Sequence, residues 1–129
     1  MLLDTDFLIA LLRKNPPALQ FLEDIISETE DLWISHVNLW ELFQGAYLSQ
    51  KVTENLIDIE NLIGYFDIID FSKASDKRFG KLIAELSQKG TPNGVMDTIL
   101  ASLALEHNKA IITRNTKHFE TAGVLVRTW

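Results

Sequence analysis

Four acidic residues stand where acids are out of place. Asp4 and Asp6 lie one residue apart in LLDTDFLIALL, Glu41 is embedded in NLWELF, and Asp97 lies in VMDTILASLA. An unpaired carboxylate buried among apolar side chains costs several kcal/mol, so each needs a reason. Asp4 follows an apolar run that reads as a strand, and open parallel sheets place ligand sites at the carboxyl ends of their strands. Asp6 falls at the start of the first helix, where capping that helix is its simplest role. Asp97 sits in the opening turns of a later helix, and the helix dipole favours it there by about 0.3–1 kcal/mol. Glu41 is mid-helix beside Trp40 and Leu42, with Val37, Gly45 and Leu48 on its face. It calls for a buried ion pair, a raised pKa or a cation. Three such acids brought together would repel one another unless a cation lay between them. A purely carboxylate set suits a hard ion, Mg²⁺ or Mn²⁺, whereas zinc prefers imidazole or thiolate.

The elements that must position these acids follow from the apolar patterning. Short strand-like runs, MLLD, LWIS (Leu32 to Ser35), YFDIIDF (Tyr65 to Phe71), AIIT (Ala110 to Thr113) and VLVRT, alternate with longer helical segments. That alternation predicts βαβ units around a mainly parallel sheet. FLIALLRKN reads as a helix stopped by Pro16 and Pro17, followed by a second helix from Ala18 to Ser27. Helices are also expected over His36 to Ser49, Thr53 to Ile63 and Ser72 to Gln88, the last with a stripe of Ala74, Phe79, Leu82, Ile83 and Leu86. Thr91 and Pro92 fit an N-cap and first helical position ahead of the Asp97 helix.

Composition bounds what these elements can build. With 129 residues, 47% hydrophobic and 23% charged, the chain suffices for one globular domain, expected to span 1–129. It has no cysteine, which excludes disulfides and thiolate metal sites. No apolar stretch is long enough to cross a bilayer and no basic leader is evident, so a cytoplasmic protein without membrane contact is expected. The formal net charge of −6 argues against a nucleic-acid binder. Setting aside the four acids discussed above as partners of a cation leaves −2, and five more acids cluster in EDIISETED, Glu23 to Asp31, so distribution matters more than the sum.

Four blocks occur in the order and approximate spacing of a known family: LLDTDFLIALL, SHVNLWEL, MDTILASLAL and AIITRNTKHF. Over essentially its whole length the chain resembles the PIN-domain family, and within it the VapC-type toxin branch. That resemblance implies a PIN-like three-layer α/β/α fold with a mainly parallel, doubly wound central sheet. It implies a Mg²⁺-dependent endoribonuclease, with Mn²⁺ as an alternative ion, that is homodimeric and neutralised by a VapB-type antitoxin blocking its cleft. The family's three acids fall on Asp4, Glu41 and Asp97, as catalytic metal ligands. Thr113, Asn115 and Phe119 fall on its last block, where some members carry a fourth acid and this chain has neutral Asn115. Thr113 and Asn115, with Asp6, are therefore expected to support the site. Asn115 can still exchange hydrogen bonds or hold water without adding charge.

RNA also requires backbone contacts, and Arg114 and Lys117 are the preferred candidates because their block lies near the implied metal site. Arg13, Lys14, Lys77, Arg78 and Lys81 read as solvated surface charge. Trp40, Phe43 and Tyr47 recur at helical spacing, which predicts core packing or a dimer face. His36, His107 and His118 do not have the spacing of a metal set and read as structural or surface residues. Two other functions fit parts of the pattern. LLDTDFLI also resembles haloacid-dehalogenase phosphatases, with Asp4 as nucleophile and Asp6 as acid/base, but then Glu41 has no role. A PIN-like module that has lost catalysis and only binds a partner is the other.

Overall fold

The computed structural model describes residues 1–28, 31–90 and 94–129. Its five strands are β1 (Leu2–Leu3), β2 (Trp33–Ser35), β3 (Asp67–Ile69), β4 (Ile111–Ile112) and β5 (Val126–Arg127). They form one sheet in the order β3-β2-β1-β4-β5 with every pairing parallel. Seven helices connect them: α1 (Thr5–Leu12), α2 (Pro16–Glu28), α3 (His36–Tyr47), α4 (Val52–Ile63), α5 (Lys73–Gln88), α6 (Val95–Glu106) and α7 (Thr116–Thr121). The expected α/β class and parallel sheet are found. Among the described residues no helix is long and apolar enough to cross a membrane.

Two-residue strands suffice because the chain is buried on both faces at the sheet centre. Leu2 pairs with Ile111 and Leu3 with Ile112, and all four are fully buried. Successive side chains alternate faces. Leu3, Ile34 and Ile112 therefore join α1 to α4 in one core, while Leu2, Ile69 and Ile111 join α5, α6 and α7 in the other. Three layers result. Each fully buried Leu or Ile contributes about 1.5–3 kcal/mol, so the central residues clamp the strand ends where function is to be sought.

Three local expectations are corrected. The prolines do not stop α1; Lys14 does, at φ 53°, in the left-handed conformation that ends helices. Pro16 instead opens α2, where its missing N–H is harmless, and the Asn15 side chain caps that helix by accepting from Ala18 N at 3.2 Å. On α5 the buried position is Ser75, with Ala74 exposed, because the Ser75 hydroxyl donates to Glu106 across the α5–α6 contact. Thr91 and Pro92 lie outside the described residues; α6 begins at Val95 with Gly94 at its N-cap.

Candidate active site

The strand order reverses between β1 and β4, and the crevice outside their carboxyl ends is where ligands bind in open α/β sheets. Asp4 leaves β1 into that crevice, and Thr113 leaves β4 beside it. The Thr113 hydroxyl donates to Asp4 Oδ2 at 2.6 Å, and Thr5 N donates to Asp4 Oδ1 at 2.7 Å. Asp4 has extended backbone and is the N-cap of α1. It is also buried, and its carboxyl is pushed up to about 7. Burial is the main cause; the Thr113 hydrogen bond works against it, and the charges of Asp6 and Asp97 add to it. Asp4 is thus where the three carboxylates feel one another.

Asp6 is not the cap expected of it, since Asp4 holds that position and Asp6 lies in the first turn. Its Oδ2 accepts from Arg114 N at 2.8 Å, tying α1 to the chain beyond β4, and lies 3.3 Å from the Thr113 hydroxyl, whose one proton goes to the nearer Asp4 oxygen. Its Oδ1 is buried and lacks a hydrogen-bond partner among the described residues. Leaving such an oxygen unsatisfied costs about 1–3 kcal/mol, and more when it is charged.

Glu41 projects from α3 and accepts a hydrogen bond from the Thr5 hydroxyl. Among the described residues that hydroxyl, rather than a buried cationic side chain, is its partner. Behind it lies a fully buried amide, Asn38, whose Nδ2 donates to Leu3 O and to Thr5 Oγ1, both at 3.1 Å. Asn38 Oδ1 accepts from Ser35 N at 2.7 Å and Ser35 Oγ at 2.8 Å. Because Thr5 Oγ1 accepts from the amide, its own proton is directed to Glu41. Nothing in the spacing singled out Thr5 or Asn38, although a hydroxyl between two aspartates and an amide one turn before Glu41 were visible as polar residues in apolar runs.

Asp97 lies in the first turn of α6 and faces α7. His118 Nδ1 is 2.9 Å from Asp97 Oδ2, and Asn115 Nδ2 is 3.3 Å from the same oxygen. Asn115 N also donates to Thr113 Oγ1 at 2.9 Å, so the β4–α7 turn is knitted into the site. His118, read as structural or surface, belongs here instead; its position three residues after Asn115, one turn along α7, was the available signal.

Among the described residues no three Asp, Glu or His side chains already close around a common point: Glu41 turns to Thr5 and Asp97 to α7. Even so, the donor chemistry fits a divalent cation. A carboxyl raised mainly by burial and further by neighbouring anions, and a partnerless buried oxygen on Asp6, are both relieved by positive charge. The model of the PIN domain family matches residues 1–124. The chain belongs to the PIN-domain family.

Known relatives extend this. The PIN domain is 33% identical over 124 residues to the tRNA(fMet)-specific endonuclease VapC of Shigella flexneri, covering 96% of this chain and 92% of that one. Its fold superposes on DNA-bound VapBC from Salmonella typhimurium with a TM-score of 0.90, at 29% identity, covering 99% of this chain and 96% of that one. For VapBC2 from Rickettsia felis bound to a promoter DNA fragment, the TM-score is 0.89 at 27% identity, covering 99% and 97%. Membership sets aside the haloacid-dehalogenase alternative. Beside the acids, the PIN domain has a cavity of about 430 Å³ lined by Arg13, Lys14 and Arg114 with Asp6 and Trp129. The Arg114 guanidinium stacks 3.5 Å from the Trp129 ring centre and its Nε donates to Trp129 O at 3.1 Å. Lys117 is exposed on α7. A second cavity of about 310 Å³, between α1, α3 and α4, reaches from Glu41 to Ile59.

Proposed function

We propose that this PIN domain is a metal-dependent endoribonuclease of the VapC toxin kind, hydrolysing RNA phosphodiester bonds in the cytoplasm under control of a VapB-type antitoxin. The observation that carries the reading is Asp4, a buried carboxyl raised to about 7 at the switch point of the sheet, loaded by the charges of Asp6 and Asp97. Asp4, Glu41 and Asp97 would hold Mg²⁺ or Mn²⁺. When bound, such an ion neutralises charge on the scissile phosphate and lowers the pKa of water.

The protein's own residues do the positioning. Thr113 fixes the rotamer of Asp4 and joins the ends of β1 and β4, while Thr5 aims Glu41. Asp6 holds the Arg114 backbone, and through it the guanidinium, beside the acids. Arg114, with Arg13 and Lys14 in the same cavity, supplies cationic contacts for RNA phosphates, and Lys117 extends them along α7. The rim these cations form is positive locally although the chain as a whole carries −6.

Two partners follow. Trp40 is 50% exposed and stacks with Phe71 at 6.0 Å between ring centres, while Phe43 packs into the core. This aromatic patch is the surface for the homodimer. The relatives solved as VapBC complexes support an antitoxin partner of the same type.

The test is cleavage of total RNA by purified protein with and without Mg²⁺ or Mn²⁺. Cleavage should require the ion and vanish in folded Asp4→Asn and Asp97→Asn variants. Metal-independent cleavage, or full activity in both variants, would overturn the reading; a folded protein that binds the ion and antitoxin but cuts nothing would leave the binding module.

A further inference from the structure

The contacts of His118 pose a proton-counting problem. Asp97 Oδ2, His118 Nδ1 and the Asn115 amide stand at the corners of a triangle with edges of 2.9, 2.7 and 3.3 Å. If Nδ1 carries a proton it donates to Asp97, and the Asn115 NH₂ group then meets another donor at 2.7 Å. If Nδ1 is bare it accepts from Asn115, but its lone pair faces the Asp97 carboxylate at 2.9 Å. Turning the amide over gives Nδ1–H two acceptors to share and leaves the Asn115 oxygen against the Asp97 oxygen. Every assignment leaves one of the three contacts either donor against donor or acceptor against acceptor.

A cation resolves it. Two ligand atoms bound at right angles with bonds of about 2.1 Å are about 3.0 Å apart, the scale of all three edges, when the amide presents its oxygen. Asn115 occupies the N-cap position of α7 yet makes no side-chain cap hydrogen bond; its amide is committed to this triangle instead. The donors are then one carboxylate, one amide oxygen and one imidazole nitrogen. Mg²⁺ takes oxygen ligands, whereas imidazole suits first-row transition ions.

We infer that Asp97, Asn115 and His118 form one face of the cation site, so that His118 ligates the ion and this PIN domain binds Mn²⁺ in preference to Mg²⁺. The inference rests on the metal-dependent reading above and deepens it. Neutral Asn115 and imidazole then supply ligand atoms without the charge a fourth carboxylate would bring.

The experiment is pulsed electron paramagnetic resonance on the full chain loaded with Mn²⁺, which detects ¹⁴N of a directly bound imidazole, paired with calorimetric titration of Mn²⁺ and Mg²⁺. Wild type and His107→Gln should show the nitrogen modulation, and His118→Gln should lose it. Mn²⁺ affinity should fall in His118→Gln by at least the roughly 10–100-fold that loss of an outer-shell partner produces, with Mg²⁺ affinity little changed. Mn²⁺ bound to wild type without nitrogen modulation overturns this inference and leaves the nuclease reading standing. A wild-type protein that binds neither ion and cuts RNA without them overturns both.

Discussion

Replacing Asp4 by Asn should stabilise the metal-free protein while destroying its function, and the size of the effect follows from burial. In the folded chain the Asp4 carboxyl is raised from 3.8 to about 7, a rise of roughly three pH units. At ~1.4 kcal/mol per unit this is about 4 kcal/mol of differential stability. The folded state holds a proton that the unfolded state has released between these values, so the contribution of Asp4 to wild-type stability is greatest below pH 4 and is lost as pH rises to about 7. Asparagine has no such dependence. It can still accept from Thr5 N through Oδ1, and Thr113 can turn its proton to Asp6 Oδ2, 3.3 Å away. Urea denaturation in chelator at closely spaced pH values should therefore show the variant gaining on wild type from near zero below pH 4 to about 4 kcal/mol above pH 7. Adding Mn²⁺ at 100 times its dissociation constant should return about 2.7 kcal/mol to wild type and nothing comparable to the variant. A gap that stays flat across this range would refute the argument that Asp4 is a buried, anion-loaded carboxyl.

Other residues give independent checks. Asn38→Ala strands buried groups at Ser35, Leu3 and Thr5 and should cost roughly 3 kcal/mol or more by urea denaturation. Arg114→Ala should weaken RNA binding similarly for all sequences and flatten the logarithmic salt dependence by about 0.7, read by filter binding across salt concentrations. Trp40→Glu places a charge in the exposed aromatic patch and should convert a dimer to a monomer in light scattering.

The architecture was legible because buried strands and amphipathic helices write different periods into the sequence, and five strand runs lay where the five strands are. Asp4, Glu41 and Asp97 were legible as carboxylates in apolar runs. What patterning does not record is which strands become neighbours. Thr113 meets Asp4 only because β4 pairs with β1. That the cap falls on Asp4 and not on Asp6 is a similar case, because a cap is defined by the residue that keeps extended backbone, and two aspartates one residue apart satisfy the composition rule equally well. On α5 the reading slipped from Ser75 to Ala74, since a single residue is 100° of helix rotation and a buried serine is disguised by its polarity until Glu106 is seen beside it. His118 escaped because a six-residue helix offers too few turns to reveal which side faces the site.

The hydrogen bond from Thr113 to Asp4 spans 109 residues of sequence. Parallel pairing at such separation is the slow kind, because loop closure precedes any reward. During synthesis, a chain that has not yet extended past β4 has Asp4 but neither its Thr113 brace nor the Asn115–His118 turn that meets Asp97. A growing polypeptide of this protein therefore lacks the assembled site until the residues from Thr113 to His118 have been made. Cleaving power arrives at one late moment, and that timing gives an inhibitor already present in the cell the whole interval of translation in which to be ready.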